Sequence, residues 1–138
     1  MTDEELDFFL QTPRRIGHLA TVSSDGSPRV GPVWFAWQRP EMLVVTLRTT
    51  ARVSHISRDP RVSISIDGDT FPPTGAMIVG TASILPVDRD SLTRIVTRYL
   101  PPDVAETYIQ RYLADPDRVL LRIVASRAYG WLGSKRKV

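Results

Sequence analysis

The chain is 138 residues long and 42% hydrophobic, the size and composition of one domain able to bury its own core. It contains no cysteine, which excludes disulfides and thiolate metal sites. The net charge of +3 is carried almost wholly by arginine, with lysine only at Lys135 and Lys137; arginine's planar fork suits phosphate and carboxylate, but genomic base composition gives the same enrichment, so charge alone does not indicate nucleic acid.

The N-terminal segment MTDEELDFFLQTPRR is acidic and lacks the basic start and apolar run of a secretory signal. No stretch reaches the roughly 18 apolar residues of a membrane span, so a cytoplasmic protein with no membrane partner is expected. Thr2 followed by Glu5 forms a capping-box pattern, and Leu6, Phe9 and Leu10 form a helical stripe. Residues 3–11 are therefore expected to be a helix, which Pro13 stops. The strand Ile16–Val22 alternates Ile16, His18, Ala20 and Val22 against Gly17, Leu19 and Thr21, and Ser24-Asp25-Gly26 turns it into a second strand from Arg29 to Gln38. Pro32 inside that strand marks an edge or a break in the ladder.

Met42–Leu47 is a nearly continuous apolar run, as in a buried strand. A short helix, Ala51–Arg58, stops before Pro60; the strand Arg61–Asp67, the loop GDTFPPTG and the strand Ala76–Leu85 follow. Asp88 caps a helix carrying Leu92, Ile95, Val96, Tyr99 and Leu100, and beyond Pro101-Pro102 a second helix carries Ala105, Tyr108, Ile109, Tyr112 and Leu113. The strand RVLLRIVAS then leads into the tail RAYGWLGSKRKV. Consecutive strands with short connections predict a mainly β domain with flanking helices, six antiparallel strands closing into a barrel. A doubly wound α/β sheet needs a helix after almost every strand, and this chain lacks them.

No nucleophile–base constellation can be assembled. His18 and His55 are the only histidines, and packing or hydrogen bonding accounts for each more simply than catalysis. Two histidines without cysteine do not make a zinc site, no phosphate-binding P-loop or dinucleotide glycine motif occurs, and Asp67 and Asp69 about Gly68 belong to a solvated turn. The stretch VVTLRTTARVSHISRDPRVSISID is different. Thr49 or Thr50 falls at the N-cap of the short helix, where its hydroxyl can satisfy a free N–H. Arg52 lies in the first turn, at the positive end of the helix dipole, where a cation is unfavourable. An anion held by the helix N-terminus, Thr50, Arg48 and Arg52 offsets that cost. In VGPVWFAW, Val33, Phe35 and Trp37 share one face and Pro32, Trp34 and Ala36 the other, so neither face is simply solvated: one is core, the other meets a partner subunit or a flat ligand.

GHLATVSSDGSPRVGPVWF, followed by TLRTTARVSHISRDPRVSISID and later by DRVLLRIVASRAYGW, resembles the pyridoxamine 5′-phosphate oxidase-like family of FMN-binding split β-barrels, and within it the flavin/deazaflavin oxidoreductase branch. The resemblance covers nearly the whole chain. It implies a split β-barrel working as a homodimer, with two cofactor sites at the dimer interface. It further implies that Arg48, Thr49, Thr50, Ala51 and Arg52 hold the cofactor phosphate, with Arg52 standing where members usually carry lysine. Pro32, Val33 and Trp34 are implied to lie along the cofactor ring, and Trp131 with Lys135-Arg136-Lys137 resembles a tail folded over the partner's site. RDPRVSISID is closer to the deazaflavin subgroup, and an arginine-rich groove suits the phosphodiester and oligoglutamate tail of coenzyme F-420; FMN, with one phosphate, is the alternative. The terminal arginine–histidine substrate segment of a typical pyridoxamine phosphate oxidase is missing.

The expected function is hydride transfer from a reduced deazaflavin, or from FMN, to an unsaturated small-molecule acceptor, the protein positioning a ring that carries the chemistry. No side chain is assigned as catalytic, and solvent is left to supply the proton. Two other readings stand beside it: a non-catalytic flavin-binding protein, and a small basic barrel binding nucleic acid. The second is disfavoured because the aromatics occupy expected core or interface positions rather than an exposed groove.

Overall fold

The computed structural model describes residues 1–133. Helix α1 (Asp3–Gln11) starts at a reciprocal cap: the Thr2 hydroxyl accepts from the Glu5 N–H at 3.1 Å, and the Glu5 carboxylate accepts from the Thr2 N–H at 3.0 Å. Then come β1 (Gly17–Val22), β2 (Pro28–Val33), β3 (Phe35–Gln38), β4 (Glu41–Leu47), α2 (Ala51–Arg58), β5 (Arg61–Asp67), β6 (Thr74–Pro86), α3 (Arg89–Val96), α4 (Pro102–Ala114) and β7 (Arg118–Leu132).

The strands form one antiparallel sheet in the order β2-β1-β5-β6-β7-β4-β3. Among the described residues there are seven strands rather than the expected six, because the predicted strand Arg29–Gln38 breaks at Trp34. Its halves occupy the two opposite edges of the sheet. Pro32 has no N–H to give a ladder, and at the break the Phe35 N–H donates to the Tyr99 hydroxyl at 3.1 Å. Among the described residues no ladder joins the two edges, so the expected closed barrel is a split one. A second difference lies at the other end of the sequence. The last strand does not stop at Ser126 but follows β6 as far as the Thr74–Leu132 pair, with an irregularity after Val79.

The barrel interior is filled by Leu19, Val33, Phe35, Trp37, Val44, Ile64, Ile66, Ile78, Leu121 and Ile123, with Leu6, Phe9 and Leu10 of α1 and Val53 and Ile56 of α2 packed into the same cluster. Each such side chain contributes on the order of 1.5–3 kcal/mol of burial free energy. A second cluster lies outside the barrel, where Leu92, Ile95 and Val96 of α3 and Ala105 and Ile109 of α4 cover Ala36, Leu43 and Leu120. Thus Val33, Phe35 and Trp37 face the core as their alternation predicts. Ala36 and Trp34, however, pack toward the protein's own helices.

On β1 the inward set is Gly17, Leu19 and Thr21, while His18, Ala20 and Val22 face outward. The pairing Val30–Ala20–Ser63–Val79 continues that outward row across β2, β1, β5 and β6. The row itself is small or apolar, with Val30 72% exposed, while Arg61 and Asp67 face outward at the two ends of β5.

Candidate functional site

Strand β4 delivers the chain to α2 through Arg48 and Thr49. Thr50 is the N-cap, as predicted, but its hydroxyl donates back to the Leu47 carbonyl at 2.7 Å and makes no capping bond. The expected side-chain cap is therefore not formed, because the nearer carbonyl takes the hydroxyl. The positive end of α2 is left without a side-chain acceptor.

Arg52 stands in that first turn, half-buried. Burial holds its guanidinium below the ordinary value of 12.5, and among the described residues no carboxylate lies within ion-pair distance of it. Its Nη1 reaches the Pro32 carbonyl only at 3.5 Å. Its Nη2 lies against Gly31, where a Cβ would fall 2.8 Å away. Glycine at 31 makes room for the cation. A half-buried, unpaired guanidinium at the wrong end of a helix is an arrangement that an anion stabilises.

Two clefts meet at Thr50 and Arg52. The first, about 350 Å³, is lined by Pro32, Val33 and Trp34, by Ile16, Val45, Thr46 and Leu47, and by Tyr112 and Arg118. Trp34 is a rigid wall: its ring stacks on Tyr99 at 4.7 Å between centroids and 4° between planes. Tyr99 in turn is fixed by donating to the Arg15 carbonyl at 2.7 Å and accepting from the Phe35 N–H, and burial raises its pKa. Across the cleft, the Arg118 guanidinium lies 4.1 Å from the Tyr112 ring centre and 3.6 Å from Asp115, and its buried Nε has no partner. The second cleft, about 380 Å³, is lined by Thr21, Arg29, Gly31, Ala51 and His55 besides the shared pair. Among the described residues no carboxylate lines either cleft.

The structure thus brings Pro32, Val33, Trp34, Thr50 and Arg52 together in one cleft and Ala51 into its neighbour. It does not bring Arg48 there. The Arg48 N–H donates to the Asp117 carbonyl at 2.7 Å and its Nη2 to the Pro116 carbonyl at 2.8 Å, which ties it to the turn before β7. Thr49 is exposed in the connecting turn and lines neither cleft. Trp131 lies on β7 across Gly75 and lines neither cleft of its own chain; Lys135, Arg136 and Lys137 lie outside the described residues. Tyr112, Arg118, Arg29 and His55 escaped sequence reasoning as site residues. Arg118 opens β7 opposite Leu47 at the end of β4, a pairing with no local signal. Among the described residues no group of histidine and carboxylate side chains could hold a metal ion, and no helix is long and apolar enough to cross a membrane.

The sequence model described as pyridoxamine 5′-phosphate oxidase matches residues 2–132 of this chain. The chain belongs to that family. Its members bind flavins and include oxidoreductases. A conserved hypothetical protein from Mycobacterium tuberculosis is similar over 95% of this chain and 84% of its own length, at 30% identity and a TM-score of 0.78. General Stress Protein 26 from Bacillus anthracis is 22% identical over 94% of both chains, with a TM-score of 0.70. An F420 reductase is 21% identical over 88% of this chain and 94% of its own, with a TM-score of 0.64. The last two share the fold with this family member. The residues present fit a planar group bearing a phosphate: a stacked aromatic wall, an uncapped helix end, and a cation without a carboxylate.

Proposed function

We propose that this protein is an oxidoreductase that binds reduced coenzyme F-420, with FMN as the alternative, and passes a hydride to an unsaturated small-molecule acceptor. The observation that carries the reading is the half-buried Arg52 at the uncapped start of α2, where an aromatic-walled cleft and a cation-lined one meet. The cofactor, when bound, supplies the hydride chemistry. Arg52 and the free N–H groups of α2 hold its phosphate. Trp34, kept in place by Tyr99, sets the plane of the ring together with Pro32 and Val33, and Tyr112 and Arg118 on the opposite wall limit water and acceptor access. No side chain is assigned as the acid, and the proton that accompanies the hydride is drawn from solvent.

F-420 is favoured over FMN because the cationic lining does not end at Arg52: Arg29 extends it, which suits a ligand carrying more than one negative charge. A homodimer is favoured by the outward face of β2, β1, β5 and β6. Helices α3 and α4 cover the other outer face, around β3, β4 and the start of β7, whereas Val30 and Val79 are exposed on this one. A second copy also gives Trp131 a site to cover.

Fluorescence titration of the purified protein with F-420 and with FMN tests the proposal, the expected result being saturable binding of F-420 and weaker binding of FMN. Saturable binding without turnover of any unsaturated acceptor turns the reading to a non-catalytic flavin-binding protein. Tight, steeply salt-dependent binding of single-stranded nucleic acid in place of either cofactor overturns it.

A further inference from the structure

The mechanism leaves one titratable side chain of the site without a task. His55 stands three residues after Arg52, on the same flank of α2, and lines the second cleft with Arg29. Its Nδ1 lies 2.8 Å from the hydroxyl of buried Thr21 on β1, which is paired directly with Arg29 of β2. A hydroxyl both donates and accepts, so it can donate to Nδ1 of the neutral ring and accept from Nδ1–H of the charged one. The ring is therefore held in place in both protonation states, and gaining a proton changes the charge beside the cleft without breaking the contact. Among the described residues Nε2 has no hydrogen-bond partner.

The charged groups around it are mostly cations. Arg52 and Arg58 share the helix; Arg29 lines the cleft from β2 while one of its guanidinium nitrogens donates to the Ser27 hydroxyl at 2.7 Å, on the turn that carries Asp25; and β6, packed against α2, carries no titratable residue. On β1 the only titratable group, His18, points to the opposite face of the sheet. The nearest acid in sequence, Asp59, is engaged by the Arg61 guanidinium at 2.7 Å. Among the described residues the second cleft is lined by Arg29, Arg52 and His55 and by no carboxylate, so an incoming anion would find several partners there.

We infer that His55 is a third anion-binding side chain of this site, acting with Arg29 and Arg52, and that its proton makes anion binding pH-dependent. The inference rests on the proposed phosphate site at Arg52, but it can be tested without the cofactor. The probe is inorganic pyrophosphate, its affinity measured by calorimetry at pH 5.5 and pH 8.5 for the wild-type protein, His55→Gln and His55→Lys. Because the probe's own charge also changes with pH, each variant is compared with wild type at the same pH. His55→Gln should bind about tenfold more weakly than wild type at pH 5.5 and within about twofold at pH 8.5, the size of one charge-assisted contact. His55→Lys, with a fixed charge, should match wild type at pH 5.5 and bind more tightly than it at pH 8.5. An unchanged ratio of His55→Gln to wild type at the two pH values overturns the inference, and so does the absence of pyrophosphate binding by folded wild-type protein. Pyrophosphate binding with the expected pattern, but no binding of F-420 or FMN, leaves the anion site standing and removes the cofactor reading.

Discussion

Arg52 and Arg48 belong to the same five-residue stretch but differ in how their side chains are partnered. Both lie beside the start of α2, yet Arg48 is satisfied by the carbonyls of Pro116 and Asp117, through its side chain and its N–H respectively. Arg52 is half-buried with one long contact to Pro32. Arg52→Ala should therefore weaken cofactor binding by about 1–3 kcal/mol, the range of a charge-assisted hydrogen bond set, while Arg48→Ala should leave the dissociation constant within about twofold. Parallel titrations of the two variants check this, and equal losses would place the anion elsewhere. Gly31 belongs to the same scale. The atom that a Cβ would crowd is the far end of the flexible Arg52 side chain, so Gly31→Ala should fold with nearly unchanged thermal stability yet bind cofactor several-fold more weakly.

Among the elements, α1, α2 and β5 were legible from sequence to the residue because their boundaries are local. Thr2 and Glu5 cap α1, Asp59-Pro60 ends α2, and alternation sets β5. What was not legible depends on partners distant in sequence. The break at Trp34 is completed by Tyr99, the extension of β7 to Leu132 by its pairing with β6, and the turning away of Arg48 by the Asp115–Asp117 turn. Tyr99 links the break to the site, since its hydroxyl accepts from Phe35 and its ring backs Trp34. Tyr99→Phe keeps the stack but leaves the Phe35 N–H unpaired, so a loss of about 1–3 kcal/mol in urea denaturation is expected. Burial raises the Tyr99 pKa above its ordinary 10.0. The neutral phenol therefore belongs to the folded state, and its contribution is full below pH 10 and lost as pH rises through the folded value. Wild type should lose stability over that alkaline window more steeply than Tyr99→Phe.

At the scale of the whole molecule, no helix among the described residues covers the outer face of β2, β1, β5 and β6. The outward row Val30–Ala20–Ser63–Val79 carries two exposed valines with only small side chains between them, a pattern that suits an interface better than a solvated face. Val79→Glu and Ala20→Glu, both on the outward row, should shift the protein from dimer to monomer in sedimentation velocity and weaken cofactor binding in step. A monomeric wild-type protein at micromolar concentration would contradict that expectation. The family and the mainly β architecture were readable from motifs spread over the chain, whereas the site's far wall was not, because Tyr112 and Arg118 reach it only through the packing of α4 and the pairing of β7 with β4.

The central claim is that the trough at Arg52 holds the phosphate of a flavin-type cofactor whose ring lies along Trp34. Equilibrium titration of wild type and Arg52→Ala with F-420, followed by cofactor fluorescence, tests it most directly. The account predicts saturable wild-type binding that Arg52→Ala weakens at least about fivefold, in line with a lost charge-assisted contact. Failure of wild type to bind, or identical affinities in the two proteins, would contradict it.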